Sequence, residues 1–196
     1  NFLLPFEALC SNGKGSSFLV YDYMFSYVYS ARYLMKQFDV PEAQGSFVGF
    51  APVSFLSRLG LPPLKNSAVS LQQAGACYRN AKLFTGTAAT RANFLNNVAG
   101  YRIVNVFSHA FADTGNTEPL LYMQDSVIHL SELQLLDRPA TQLIMLSACQ
   151  TSVGKNATGE GIYSLARGFS SAGIPAVSAT LWKADEETVY AISYTF

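Results

Sequence analysis

Two residues in this chain have the chemistry of a nucleophile and its base. Cys149 follows the apolar run Leu143-Ile-Met-Leu146, and His109 ends a second run that begins at Tyr101. A thiol beside an imidazole is the minimum set for nucleophilic acyl transfer, because the base takes the sulfur's proton and leaves a thiolate near neutral pH. Both runs have the apolar continuity of strands buried on both faces of a sheet. In open α/β sheets, ligands and chemistry collect at the C-terminal ends of such strands. If the two strands are parallel neighbours, positions 109 and 149 stand about 5–6 Å apart at the backbone. The expectation is a Cys-His dyad at one sheet edge.

The elements that must position this pair alternate along the chain. Gly45–Phe50 is a predicted strand, Asn66–Arg79 a helix with Ala68, Leu71 and Gly75 on one side, and Lys82–Phe84 a short strand. Thr87 is expected to cap a helix carrying Ala88, Ala92, Leu95 and Val98 into the His109 strand. Leu120–Met123 and Val127–Leu130 form a predicted hairpin, and Ser131 is expected to cap a short helix before the Cys149 strand. Gly161–Ala172 is amphipathic, with Ile162, Leu165, Ala166 and Phe169 at i, i+3, i+4 and i+7, and Gly173 is its stop. Ala176–Thr180 is the next strand, and Asp185 opens a last helix with Val189, Ile192 and Phe196 inward. Near the N-terminus, Ser11–Ser17 is a turn cluster. Phe18–Tyr21 and Phe25–Tyr29 are expected as short aromatic strands, and Ser30 as the cap of a helix through Lys36. Alternation of strand and helix through the second half predicts an α/β fold, a mostly parallel central sheet with helices on both faces.

Composition narrows the function. The 196 residues carry 13 Lys+Arg and 13 Asp+Glu, so no basic field exists to draw nucleic acid or anionic lipid. At 49% hydrophobic the chain can bury a sizeable core. No run approaches the roughly 18 apolar residues of a membrane span, and no basic n-region of a signal peptide is present. Cys10, Cys77 and Cys149 are odd in number and far apart, which fits reduced thiols and a cytoplasmic location. No two Cys or His share a zinc-ligand spacing. Gly13-Lys-Gly-Ser16 and Gly154-Lys-Asn156 lack both Walker and dinucleotide spacing. Neither metal nor cofactor is expected. Both ends have the composition of a fold interior, so the chain is expected to be one domain over residues 1–196, a fragment of a longer protein truncated at both ends.

Several segments together resemble a known family: Ser108-His109, Leu146-Ser-Ala-Cys-Gln-Thr-Ser-Val-Gly154, Gly159-Glu-Gly-Ile-Tyr-Ser-Leu-Ala-Arg-Gly-Phe169, Ala172-Gly173 and Thr180-Leu-Trp-Lys-Ala-Asp185. Pro5-Phe-Glu-Ala-Leu9, Leu61-Pro-Pro-Leu64 and Thr85-Gly-Thr-Ala-Ala-Thr90 extend the likeness upstream. They resemble the CHAT-domain peptidases, caspase-like cysteine peptidases associated with tetratricopeptide repeats, in the clan of caspases and separases. The resemblance implies a caspase-like three-layer sandwich, with His109 as general base and Cys149 as nucleophile. It implies an oxyanion hole from the backbone amides of Ala110 and Cys149. The family usually has His-Gly where this chain has His109-Ala110, and alanine keeps the N–H but resists positive φ.

Substrate contacts are expected from Gln150, Thr151, Trp182 and Lys183, on the loops that follow the strands. Trp182 has two readings, core packing or a wall for the substrate's first residue. Arg167 is read as bonding loop carbonyls, Asp185 as an N-cap and His129 as a surface residue. The implied function is an endopeptidase that cuts a protein or peptide substrate, with no direct role for nucleic acid or membrane. A regulatory region such as tetratricopeptide repeats, or a separate activator, is expected to order the Gln150–Glu160 loop, whose glycines and small polar residues make ordering entropically costly. The rivals are a catalytically impaired pseudo-peptidase acting as a protein-interaction module, and a non-proteolytic cysteine hydrolase or acyltransferase.

Overall fold

The runs ending at His109 and Cys149 are neighbouring parallel strands of a seven-stranded mixed sheet. The structure, a computed structural model, describes residues 6–10, 15, 17–28, 31–35, 37–111, 118–150, 160–180 and 186–195. It falls into two units, Asn1–Gln37 and Phe38–Phe196.

In the first unit the described backbone is short turns and one helix. Phe6–Ala8 and Leu19–Tyr21 are 3-10 turns, and α1 is Ala31–Leu34. Cys10 and Phe18 form one antiparallel bridge, and the Tyr27 hydroxyl donates to Glu7 at 2.7 Å. The aromatic strands expected at Phe18–Tyr21 and Phe25–Tyr29 do not form: residues 19–21 turn, and 23–28 are irregular. Aromatic content favours a strand only where a neighbouring ladder exists to pair it. Tyr29, Ser30 and Lys36 lie outside the described residues.

In the second unit the elements are β1 (Gly45–Ala51), α2 (Ser67–Ala76), β2 (Lys82–Thr85), α3 (Arg91–Asn97), β3 (Tyr101–Phe111), β4 (Leu120–Tyr122), β5 (Val127–His129), α4 (Leu130–Leu133), β6 (Leu143–Gln150), α5 (Glu160–Ser171), β7 (Ala176–Ala179) and α6 (Glu186–Thr195). β2, β1, β3, β6 and β7 are parallel in that order, and the β4–β5 hairpin adds antiparallel to the end of β3. β3 outruns β1: its last pairing with β1 is at Val106, and Ala110 and Phe111 pair with β4 instead.

The helix layers follow from the strand order. The step from β1 to β2 goes one way across the sheet, and those from β2 to β3 and from β6 to β7 go the other. Right-handed crossovers then require α2 on one face and α3 and α5 on the opposite face. The packing agrees. Val48, Phe50, Val104, Val106, Ile144 and Leu146 meet Phe94 of α3 and Leu165 and Phe169 of α5. On the other face Phe47, Ala51 and Phe107 meet Leu71 and Ala74 of α2 and Val189 and Tyr190 of α6. Gly49 lets α2 come this close, since a Cβ there would sit 2.1 Å from Leu71 Cδ1. Asn105, fully buried on this second face, has neither amide atom hydrogen-bonded among the described residues.

Three local expectations change. α3 is capped by Thr90, whose Oγ1 accepts from Asn93 N at 3.2 Å, while Thr87 sits in a preceding 3-10 turn. The N-cap of α4 is His129, whose amide donates to Glu132, three residues on, at 2.9 Å; Ser131 is already helical. α6 buries Val189, Tyr190 and Ser193, with Ile192 60% exposed, because its contact with the sheet is centred on Phe107 and Ser147. Phe196 lies outside the described residues.

Candidate active site

The site forms where the strand order reverses. β1 hands the chain toward β2 and β3 hands it toward β6, which is the arrangement that opens a crevice beyond the C-terminal strand ends. The connection leaving β1 turns back over this crevice. Leu64 N donates to Val53 O at 2.8 Å, Leu56 N to Gln124 O at 2.9 Å, and Arg58 to the Asp125 carbonyl at 2.6 Å. The first bond closes the connection on itself, and the other two hold it against the β4–β5 turn.

His109 and Cys149 are direct register partners across β3 and β6. Registered positions of parallel strands share a face of the pleat, so positions 109 and 149 lie on the α2/α6 face at one sheet edge. Gln150 is the partner of Ala110. Thr151, Trp182, Lys183 and most of the Gln150–Glu160 loop lie outside the described residues. Ser108 is on the opposite face, where its hydroxyl donates to the Tyr122 carbonyl. His129 is exposed beside Glu118, 3.4 Å away. Arg167 is exposed on α5.

The His109 ring is 1% exposed. Phe55 lies against it with ring centroids 5.0 Å apart, and Nε2 is 2.8 Å from the Pro62 carbonyl. A carbonyl can only accept, so Nε2 carries the hydrogen, and in the neutral ring Nδ1 holds the free lone pair. Nδ1 has no hydrogen-bond partner among the described residues. Burial pushes the imidazole below its ordinary pKa of 6.5, while the Pro62 bond and the charge of Glu186 pull it up. The net shift is downward, and the resting ring at neutral pH is a neutral base.

A stability consequence follows. With the folded pKa below the unfolded one, protons bind the unfolded chain more tightly, and this contribution is present above pH 6.5 and lost as pH falls toward the folded value. The urea midpoint is expected to drop between about pH 7 and pH 5. His109→Gln, which cannot titrate, is expected to flatten that slope. An unchanged slope would mean that burial does not disfavour the charged ring.

Ala110, the residue expected to help hold an oxyanion, is an extended strand residue, 1% exposed and paired with both Gln150 and Leu121. It is not among the residues with positive φ, so the missing glycine causes no strain here.

The CHAT domain profile matches residues 2–196. The chain belongs to the CHAT domain family. CHAT is a caspase-like, peptidase-related domain, and the seven-stranded α/β sheet with helices on both faces fits that fold. Comparison with curated proteins gives no match. Among the described residues of this CHAT domain, no cluster of three His, Cys, Asp or Glu could hold a metal ion, and no helix is long and apolar enough to cross a membrane.

Three site features were not anticipated from the sequence. The Pro62 carbonyl had a partial signal, since a residue before proline is driven to an extended conformation, and Pro63 follows Pro62. Phe55 and Glu186 had none, because their approach to His109 depends on how a loop and a helix pack.

Proposed function

We propose that this CHAT domain is a cysteine endopeptidase acting through Cys149 and His109. The observation that carries the reading is the direct register of these two positions, beside an imidazole whose Nδ1 is the free basic atom. The neutral ring acts as a general base: Nδ1 takes the thiol proton as sulfur adds to the scissile carbonyl and returns it to the leaving amine. Water activated by the same nitrogen then hydrolyses the S-acyl enzyme and restores the thiol. The amides of Cys149 and Ala110 are the candidate oxyanion donors, with Gln150, Thr151, Trp182 and Lys183 the candidate substrate contacts. The substrate is a protein or peptide, and a regulatory region such as tetratricopeptide repeats, or a separate activator, governs access. The cytoplasm is the proposed compartment.

A second reading has one observation in its favour. Ala110 is paired on both sides within the sheet, which suits an inert domain used for protein interaction.

Peptide acyloxymethyl ketones separate the two. Cys10 and Cys77 are both exposed free thiols and serve as internal controls. A single label on Cys149, lost in both Cys149→Ala and His109→Gln, is the expected result. Label confined to Cys10 and Cys77 would sink the peptidase reading.

A further inference from the structure

We propose that Glu186 is a positioning residue for this reaction, its carboxylate stabilising the His109 ring while the ring carries the proton taken from Cys149. The inference rests on the peptidase reading of the same site.

Topology brings Glu186 to the site. β7 runs parallel to β6 and ends at Ala179, at the sheet edge that carries positions 109 and 149. Only the short 180–185 connection separates that end from α6, so the helix must begin at the same edge. It then returns along the sheet. Ser193 meets Ser147 through their hydroxyls, and Tyr190 packs edge-on against Phe107 with centroids 5.0 Å apart. Ser147 and Phe107 are themselves register partners, two positions before the Cys149–His109 pair. Moving from Ser193 back to Glu186 climbs about 10 Å of helix, and moving from position 147 to 149 climbs about 7 Å of strand. Glu186 therefore arrives at the level of the pair, on the face that His109 occupies.

The surroundings give this carboxylate weight. Among the described residues, the Glu186 carboxylate makes no ion pair. β1, α2 and β6 contribute no charged side chain, and Arg102 of β3 lies at the strand's opposite end. Among the described residues, the remaining charges nearby are exposed Glu187, exposed Lys65 ahead of α2, and Arg58, which is tied to the Asp125 carbonyl. A charge acting on a buried ring is screened less than one acting on an exposed ring. Its field favours the protonated imidazole and so opposes the effect of burial. The proton travels from Cys149 sulfur to His109 Nδ1 as the S–C bond forms, and from Nδ1 to the leaving nitrogen as the C–N bond breaks. During acylation the ring is a cation between these two transfers, and Glu186 lowers the energy of that interval.

The test uses the two histidines of the chain. In a Cys149→Ala background, the His109 ring is titrated by NMR, with His129→Gln to assign the signals. Glu186→Gln is expected to shift the His109 pKa downward, Glu186→Asp to restore part of it, and Glu187→Gln to leave it in place. With Cys149 present, Glu186→Gln should move the acid limb of kcat/KM to lower pH and lower the plateau several-fold. An unmoved His109 pKa in Glu186→Gln would overturn the proposal. A moved pKa in a protein whose wild type cleaves no peptide would instead overturn the peptidase reading, so the two failures are distinguishable.

Discussion

Replacing His109 by glutamine is expected to lower kcat/KM by four to six orders of magnitude, about the loss seen when a nucleophile–base unit loses its base. Glutamine keeps a side-chain N–H for the Pro62 carbonyl but cannot accept a proton. Cys149→Ala should cost a similar factor, and the double variant should be no worse than either single one. Non-additivity is the informative part. Two groups that act on one proton fail together, whereas independent contributions would multiply. The measurement is turnover of one peptide substrate by the four proteins. Retention of a tenth of the activity in His109→Gln, or a double variant far below both singles, would remove the dyad.

The second large effect is structural. Phe107→Ala is expected to cost about 3–5 kcal/mol, the usual loss for an aromatic side chain deleted from a core. Phe107 is fully buried, and its ring is the surface on which Tyr190 of α6 rests. At this chain length the melting temperature should fall by roughly 6–20 °C. Because α6 also carries Glu186 to the site, activity should fall more steeply with temperature than stability alone explains. Thermal unfolding followed by circular dichroism checks the first statement. A loss below 1 kcal/mol would mean that the α6 face of the core repacks.

Much of the fold could be read directly from the residues. The strands β1, β2, β3, β6 and β7, the hairpin, and the helices α2, α5 and α6 all lie within a few residues of their sequence patterns. Continuous apolar runs and 3.6-residue spacing depend on local chemistry, and the buried environment reinforces them. The failures share a cause. Phe18–Tyr21 and Phe25–Tyr29 have strand composition without a ladder to join. The caps moved from Thr87 to Thr90 and from Ser131 to His129, because a cap is decided by where the following helix packs. The alternation in α6 shifted from Ile192 to Tyr190 and Ser193 for the same reason.

At the site the division is similar. The sequence alone placed a cysteine and a histidine at the ends of two buried strands, because a change from apolar to polar residues is a local event. It also carried the family motifs, which pointed to caspase-like chemistry. Only the tertiary structure decided that β3 and β6 are neighbours with 109 opposite 149. Register between strands separated by crossovers comes from helix packing and hydrophobic matching across the whole sheet, and a slip of one residue would put the two positions on opposite faces. The tertiary structure alone also brought the Pro62 carbonyl to Nε2, which leaves Nδ1 as the basic atom. It likewise brought Glu186 to the sheet edge that carries His109, through a helix that has to start where β7 ends. Contacts of this kind join residues far apart in the chain, and no local pattern encodes them.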